Sequence, residues 1–339
     1  MSGAKVVWYS RCPIPTSTGL AVSQGRVARQ LEGTGWEALS LAVATDPKVR
    51  NAHFTQGERY MFRHGGVVPP LVFISRGAPQ KIVGLSSYPS HRPLLVLPES
   101  GIRHVRDLRG KRISLPVRRT ASVDFWRAIV VRGVRRYLAA GGLTENDINW
   151  VEVGTDRDFL EGTRQSQDAA ASLWDADFML GHQREEGFAL IRGEVDAVYS
   201  EGAMAAVLRG FTGALDVQTD TPAGLMPNNT MLTISASLID EAPEVALAIA
   251  CSSLQASSWA NTEPREAMRL IALDTGLPEE LVPRAFGEQV HDALALDLAP
   301  EKIELLEQQL ASLADMNMLA RPLRLQDLLD TDVLRAAAA

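Results

Sequence analysis

Three side chains near the start of the chain have the chemistry to hold and cut a small anion. Cys12 stands in Trp8-Tyr9-Ser10-Arg11-Cys12-Pro13-Ile14-Pro15, His53 in His53-Phe54-Thr55, and Arg63 in Arg63-His64-Gly65-Gly66. A thiol can act as nucleophile or proton donor, an imidazole can set its ionisation and orientation, and a planar guanidinium matches an oxyanion in a two-point grip. Pro13 and Pro15 stiffen the loop that presents the thiol. Gly65 and Gly66 let the backbone come close enough for its amides to complete an oxyanion hole, and Ser10 adds a contact from the Cys12 loop. Each residue also has a plainer reading on its own: a buried inert thiol, a structural histidine, an arginine anchoring a carboxylate, a glycine turn. Cys251, inside Ala248-Ile249-Ala250-Cys251, fits the inert description, and His64, His91, His104, His182 and His291 lack a comparable context.

The elements that must position these residues read as an α/β chain. Short apolar runs at Lys5 to Tyr9, Glu37 to Ala42, Leu71 to Ile74, Ile82 to Leu85 and Leu94 to Leu97 predict strands, alternating with amphipathic stretches. Further strands are expected at Arg112 to Leu115, Asn149 to Val153, Val195 to Ser200 and Met231 to Ser235. A helix from Val123 to Ala140 is stopped by Gly141-Gly142, and helices over Glu244 to Asn261, Pro278 to Phe286 and Pro300 to Asn317 finish the chain. At 339 residues the chain exceeds the roughly 250–300 at which one core stops growing, so two lobes and a cleft are expected. Lobe I comprises residues 1–96 and 220–339 and carries the Cys/His/Arg site and the C-terminal helices. Lobe II, residues 97–219, closes over it through two crossover strands, and the polar stretch from Asp156 to Glu186 covers the cleft.

Composition narrows the class. A net charge of -7 gives no general attraction for polyphosphates, which argues against a nucleic-acid partner. Arg132, Arg135 and Arg136 share one helical face, read as a solvated surface. No secretory signal or apolar span is visible, so a cytoplasmic protein with no membrane partner is expected. Two cysteines make no disulfide framework. Metal, nucleotide and serine-hydrolase motifs are absent, and no cofactor or metal is expected.

Ser100-Gly101-Ile102, Asp107-Leu108-Arg109-Gly110-Lys111-Arg112-Ile113, Ala140-Gly141-Gly142-Leu143-Thr144 and Gly193-Glu194-Val195-Asp196-Ala197 occur in an order that resembles the nitrate, sulfonate and taurine type of solute-binding protein. That likeness implies a two-lobed type II periplasmic-binding-protein-like fold, with mixed sheets flanked by helices. The Cys12, His53 and Arg63 segments, with Val195 to Ser200 and Phe286-Gly287, resemble the 2-(2'-hydroxyphenyl)benzenesulfinate desulfinase family of dibenzothiophene desulfurisation.

This second resemblance implies a cofactor-free hydrolase that cleaves the carbon–sulfur bond of an aromatic sulfinate, such as 2'-hydroxybiphenyl-2-sulfinate, to the arene and sulfite. It implies Cys12, His53 and Arg63 as catalytic and a small organic sulfinate as partner; Ser10, Phe54, Gly65 and Gly66 are expected to bind the substrate, and the protein is expected to be a monomer. Either thiolate attack on sulfur or protonation of the ring carbon by the thiol would serve. The family carries an aromatic residue where this chain has Gln56, so the pocket is expected to differ there; Phe54, Trp126, Phe178, Phe188 and Tyr199 are candidates for an aromatic lining. The rival reading is a non-catalytic solute-binding protein for a sulfonate-like or other small organic anion.

Overall fold

The computed structural model describes residues 4–156, 160, 166–168, 170, 172, 174, 182–220 and 225–339. Ten strands fall within them: β1 (Lys5–Arg11), β2 (Trp36–Ser40), β3 (Met61–Gly66), β4 (Gln80–His91), β5 (Leu94–Val96), β6 (Arg112–Arg118), β7 (Asn149–Thr155), β8 (Val198–Tyr199), β9 (Leu215–Asp216) and β10 (Leu225–Ser235). The first sheet has the order β2-β1-β3-β10-β4, with β1 parallel to β2 and β3, and β10 antiparallel to β3 and β4.

The remaining strands form a second assembly of the same pattern. The β6–β7 pair is parallel and the β8-β5-β9 strip antiparallel. An Ile113–Ala197 bridge and the bond from Ser114 N–H to the Ala197 carbonyl join them, giving the spatial order β7-β6-β8-β5-β9. In the first assembly β2, β1 and β3 lie in that order beside β10, and in the second β7, β6 and β8 lie in the same way beside β5, so in each the strand next to the third of the three comes from a distant part of the chain. The chain passes from one sheet to the other between β4 and β5, and β10 returns it to the first.

Helices cover the sheets because each presents an apolar face. The Pro243–Thr262 helix packs through Val245, Ala246, Ile249 and Ala256 against a core holding Val7, Tyr9, Phe62 and Leu232. A second core carries Trp126, Val130 and Val134 from the Phe125–Ala140 helix together with Leu71, Leu85 and Met231 from the first sheet's side. Burying each such aliphatic or aromatic side chain contributes on the order of 1.5–3 kcal/mol. No helix among the described residues is long and apolar enough to cross a membrane.

The expected element order holds with one change of type. Leu71 to Ile74, read as a strand, lies in a helix, Val68–Ser75, with prolines in its first turn and Leu71, Val72 and Ile74 all buried. A short run that is apolar all round has no period to separate the two states, and Pro69-Pro70 suits a helix start. Most of the Asp156 to Glu186 stretch lies outside the described residues. Of the parts within them, Ser166 N–H donates to the Ala42 carbonyl at 2.9 Å and the Trp174 indole N–H to the Arg11 carbonyl at 2.9 Å.

Candidate active site

Strand register assembles the three reactive groups. Ser10 and Arg63 are paired across the parallel β1–β3 ladder. Side chains alternate along a strand, so Arg63 and Gly65 share one face of β3 while Phe62 and His64 occupy the other. Cys12 follows the end of β1, and its N–H donates to the His64 carbonyl at 3.2 Å. The short Ala52–Thr55 helix drops His53 onto the Arg63 face. Arg63 Nη2 donates to Cys12 Sγ at 2.8 Å, His53 Nε2 lies 3.7 Å from the same sulfur, and Nη2 lies 3.5 Å from Nε2. Three residues distant in sequence thus meet at one atom.

The remaining expected residues occupy distinct places. Ser10 is buried behind the imidazole, with Oγ 2.5 Å from His53 Nδ1, and is not part of the cavity wall. Gly66 accepts a hydrogen bond from Arg63 Nη1 at 2.9 Å through its carbonyl and lines the cavity. Gly65 lies under the thiol: a Cβ there would sit 2.2 Å from Cys12 Sγ. Phe54 forms part of the cavity wall and meets the His53 ring edge-on at 4.8 Å. In this arrangement both Arg63 Nη atoms already have partners, and its buried Nε has none among the described residues.

Burial lowers the basicity of His53 well below the ordinary histidine range, and the Arg63 charge lowers it further. His53 is therefore neutral at neutral pH. A guanidinium has donors only, so the imidazole nitrogen facing Arg63 is the one without a proton, and Nδ1–H donates to Ser10 Oγ. Burial also pulls the Arg63 pKa down, while the sulfur of Cys12 pushes it back up. On the opposite face of β3, His64 bridges Thr18 Oγ1 at 2.8 Å and Thr230 Oγ1 at 3.1 Å, and burial holds its pKa at about 3.

The triad opens on a cavity of about 130 Å³, well above the roughly 10–15 Å³ that holds one water. Val67, Val68 and Pro69 line it from the first sheet's side and Phe125, Ala128 and Ile129 from the Phe125–Ala140 helix. Among the proposed aromatics, Phe54 and Tyr199 line the cavity. Trp126 is wholly buried in the core, Phe188 is 43% exposed, and Phe178 lies outside the described residues. Phe125 and Trp174 take their place: Phe125 stacks on Phe54 at 6.1 Å and Trp174 meets His53 edge-on at 4.6 Å. Gln56 does not shape the cavity; it is buried behind His53, where its Oε1 accepts from Thr233 Oγ1 at 2.9 Å.

Sequence reasoning also missed a polar end of the cavity. Arg92 and Glu201 form an ion pair at 2.5 Å, and Arg92 Nη2 donates to Asn228 Oδ1 at 3.0 Å. Asn229, Gln309 and Ser312 add further polar groups. The arginines read as one solvated face separate: Arg135 pairs with Glu145 and Asp315, whereas Arg132 turns into the cavity. The signal available was spacing, since Phe125, Ala128, Ile129 and Arg132 recur as i, i+3, i+4 and i+7.

No protein-family profile matches the chain, and no curated protein matches it by sequence. Solved structures do. A cysteine-to-serine variant of the desulfurization enzyme DSZB in complex with biphenyl-2-sulfinic acid superposes with a TM-score of 0.79 at 22% identity, covering 98% of this chain and 99% of that one. A second DSZB crystal structure gives 0.76 at 23% identity, with coverage of 98% and 99%. The alkanesulfonate-binding protein SsuA from Xanthomonas axonopodis pv. citri, bound to MOPS, gives 0.64 at 17% identity, with coverage of 98% and 100%. From end to end, the chain therefore has the two-lobed type II periplasmic-binding-protein-like fold that DSZB shares with the sulfonate-binding proteins.

Proposed function

We propose that the protein is a sulfinate desulfinase that hydrolyses the carbon–sulfur bond of an aromatic sulfinate to the arene and sulfite. The observation that carries this reading is the contact of Cys12 Sγ with both Arg63 Nη2 and His53 Nε2 at the wall of a mostly apolar cavity. A protein that only binds an anion has no need of a thiol between a cation and a bare imidazole nitrogen. The full-length likeness to DSZB, one structure of which holds biphenyl-2-sulfinic acid, supports the substrate class, and the aromatic surfaces of Phe54, Phe125 and Trp174 suit a ring.

Of the two routes, the environment of His53 favours the thiol as proton donor. Moving the Cys12 proton to Nε2 would create an imidazolium that both burial and Arg63 oppose. If the proton passes instead to the ring carbon bearing sulfur, the C–S bond breaks with its electron pair forming the new C–H bond. The thiolate left behind receives the Arg63 N–H, sulfur dioxide departs, and water adds to it to give hydrogen sulfite while a proton returns to the thiolate. Ser10 acts as a positioning residue, fixing the His53 tautomer. Arg63 orients the sulfinate and Cys12 together.

The reading that the sulfonate-binding relatives favour, capture without turnover, makes the opposite prediction for one assay. Sulfite release from biphenyl-2-sulfinate should be present in the native protein and fall at least a thousandfold in Cys12→Ser. Binding without release in both proteins would replace the enzyme with a receptor.

A further inference from the structure

Three arginines, Arg63, Arg92 and Arg132, and one carboxylate, Glu201, line the described wall of the cavity. Glu201 is committed to Arg92. A single sulfinate at Arg63 therefore leaves one positive charge unanswered, and it belongs to Arg132. Among the described residues Arg132 has neither a hydrogen bond nor an ion pair, in a chain where Arg92, Arg118 and Arg135 all have acidic partners. Burial lowers its pKa to about 10, with a further push from Arg92, so it stays charged at neutral pH.

One neighbouring amide can answer a ligand as well. Gln309, 7% exposed, lines the same cavity, and its amide oxygen has no partner among the described residues. Turning the Gln309 amide would present its N–H groups to the cavity instead. Phe125 marks the end of the cavity nearest His53, through its stack on Phe54. Arg132 lies two turns further along the same helix, about 10 Å in rise. The space between is bounded by Ala128 and Ile129.

We propose that Arg132 recognises a second anionic group, so that the preferred substrate is a two-headed anion: a sulfinate at the Cys12 end of an apolar body and a carboxylate or equally acidic group at the other. This deepens the desulfinase reading and rests on it. An unanswered, partly buried cation gains a charge-assisted hydrogen bond from such a group, whereas a neutral substrate leaves it unpaired.

The test compares biphenyl-2-sulfinate with its isomers carrying a carboxylate on the second ring, in the native protein and in Arg132→Met. The best carboxylated isomer should exceed the parent in kcat/KM by about tenfold or more, and Arg132→Met should bring that ratio to near one. A ratio near one in the native protein, or one that survives Arg132→Met, overturns the proposal; sulfite release from the parent would leave the desulfinase reading standing. If none of these sulfinates releases sulfite, calorimetric binding of the same compounds to Cys12→Ser and to Cys12→Ser/Arg132→Met decides. A tenfold carboxylate-dependent gain that the second variant loses supports Arg132 as the anion receptor, and its absence refutes it.

Discussion

Gly65 is the residue whose smallness the chemistry needs most. A methyl group at that position would lie 2.2 Å from the reactive sulfur and 3.3 Å from Arg63 Nη1, so Gly65→Ala must displace the thiol or the guanidinium. A shift of that size in a reacting group costs on the order of a hundredfold in rate. Gly66 has open space where its Cβ would be. The pair therefore separates in a simple way: Gly65→Ala should lose at least a hundredfold in kcat with an unchanged melting temperature, and Gly66→Ala should retain distinctly more. Equal losses would mean that backbone freedom, not the close approach, is what matters. Ser10→Ala removes the partner of Nδ1 and should lower kcat by roughly ten- to hundredfold with little change in KM, whereas a substrate contact would move KM. Cys12, His53 and Arg63 were legible because their motifs are short and ordered. Arg132 and Phe125 were not: helical spacing gives a face but does not say which of two adjacent faces meets solvent, core or cavity, and Trp126, one position along from Phe125, faces the core.

Strand β3 shows how one element serves two purposes. Its Arg63 and Gly65 face the cavity, and its His64 ties the opposite face to Thr18 and Thr230, which in turn bond Ser253 and Ser86. Because Met61–Gly66 carries an arginine, a histidine and two glycines, it lacks the apolar run by which a central strand is recognised. Its place became readable only through the neighbours β1 and β10. Burial makes β3 a source of acid sensitivity. The folded protein keeps His64 unprotonated down to about pH 3, whereas the unfolded chain binds that proton near pH 6.5. Between those values the unfolded state holds more protons, so the contribution is full above about 6.5 and is lost as pH falls. His53, also lowered, acts in the same direction. Urea unfolding of His64→Gln should therefore show a pH dependence between 6 and 4 that is shallower than the native one by about 1.4 kcal/mol per pH unit. Identical slopes would show that His64 does not titrate with unfolding.

At the scale of the molecule, the proposed chemistry and the proposed selection of substrate fall on two different parts of the chain. We propose that residues 1–93 and 220–339 form one lobe, residues 94–219 the other, and that the two crossovers next to β4 and β10 form the hinge; the first boundary falls before β5 rather than at the expected residue 96, because β5 pairs with β8 and β9. Cys12, His53 and Arg63 then belong to the first lobe, and Phe125, Ile129 and Arg132 to the second. Two contacts cross the proposed division: Asn51 Nδ2 donates to Ser122 Oγ at 3.1 Å, and Arg92 pairs with Glu201. If these contacts hold the lobes together around the substrate, sulfur dioxide is kept in place until it is hydrated, and release of arene and sulfite requires the lobes to part. Cysteines at 51 and 122, in a chain with Cys251→Ser, should form a disulfide that holds the closed state. The oxidised protein is expected to lose at least nine-tenths of its steady-state sulfite release and to recover it with dithiothreitol, while Asn51→Ala/Ser122→Ala remains active under both conditions. Full turnover by the cross-linked form would show that ligands exchange through the closed wall, and the hinge would have no part in the cycle.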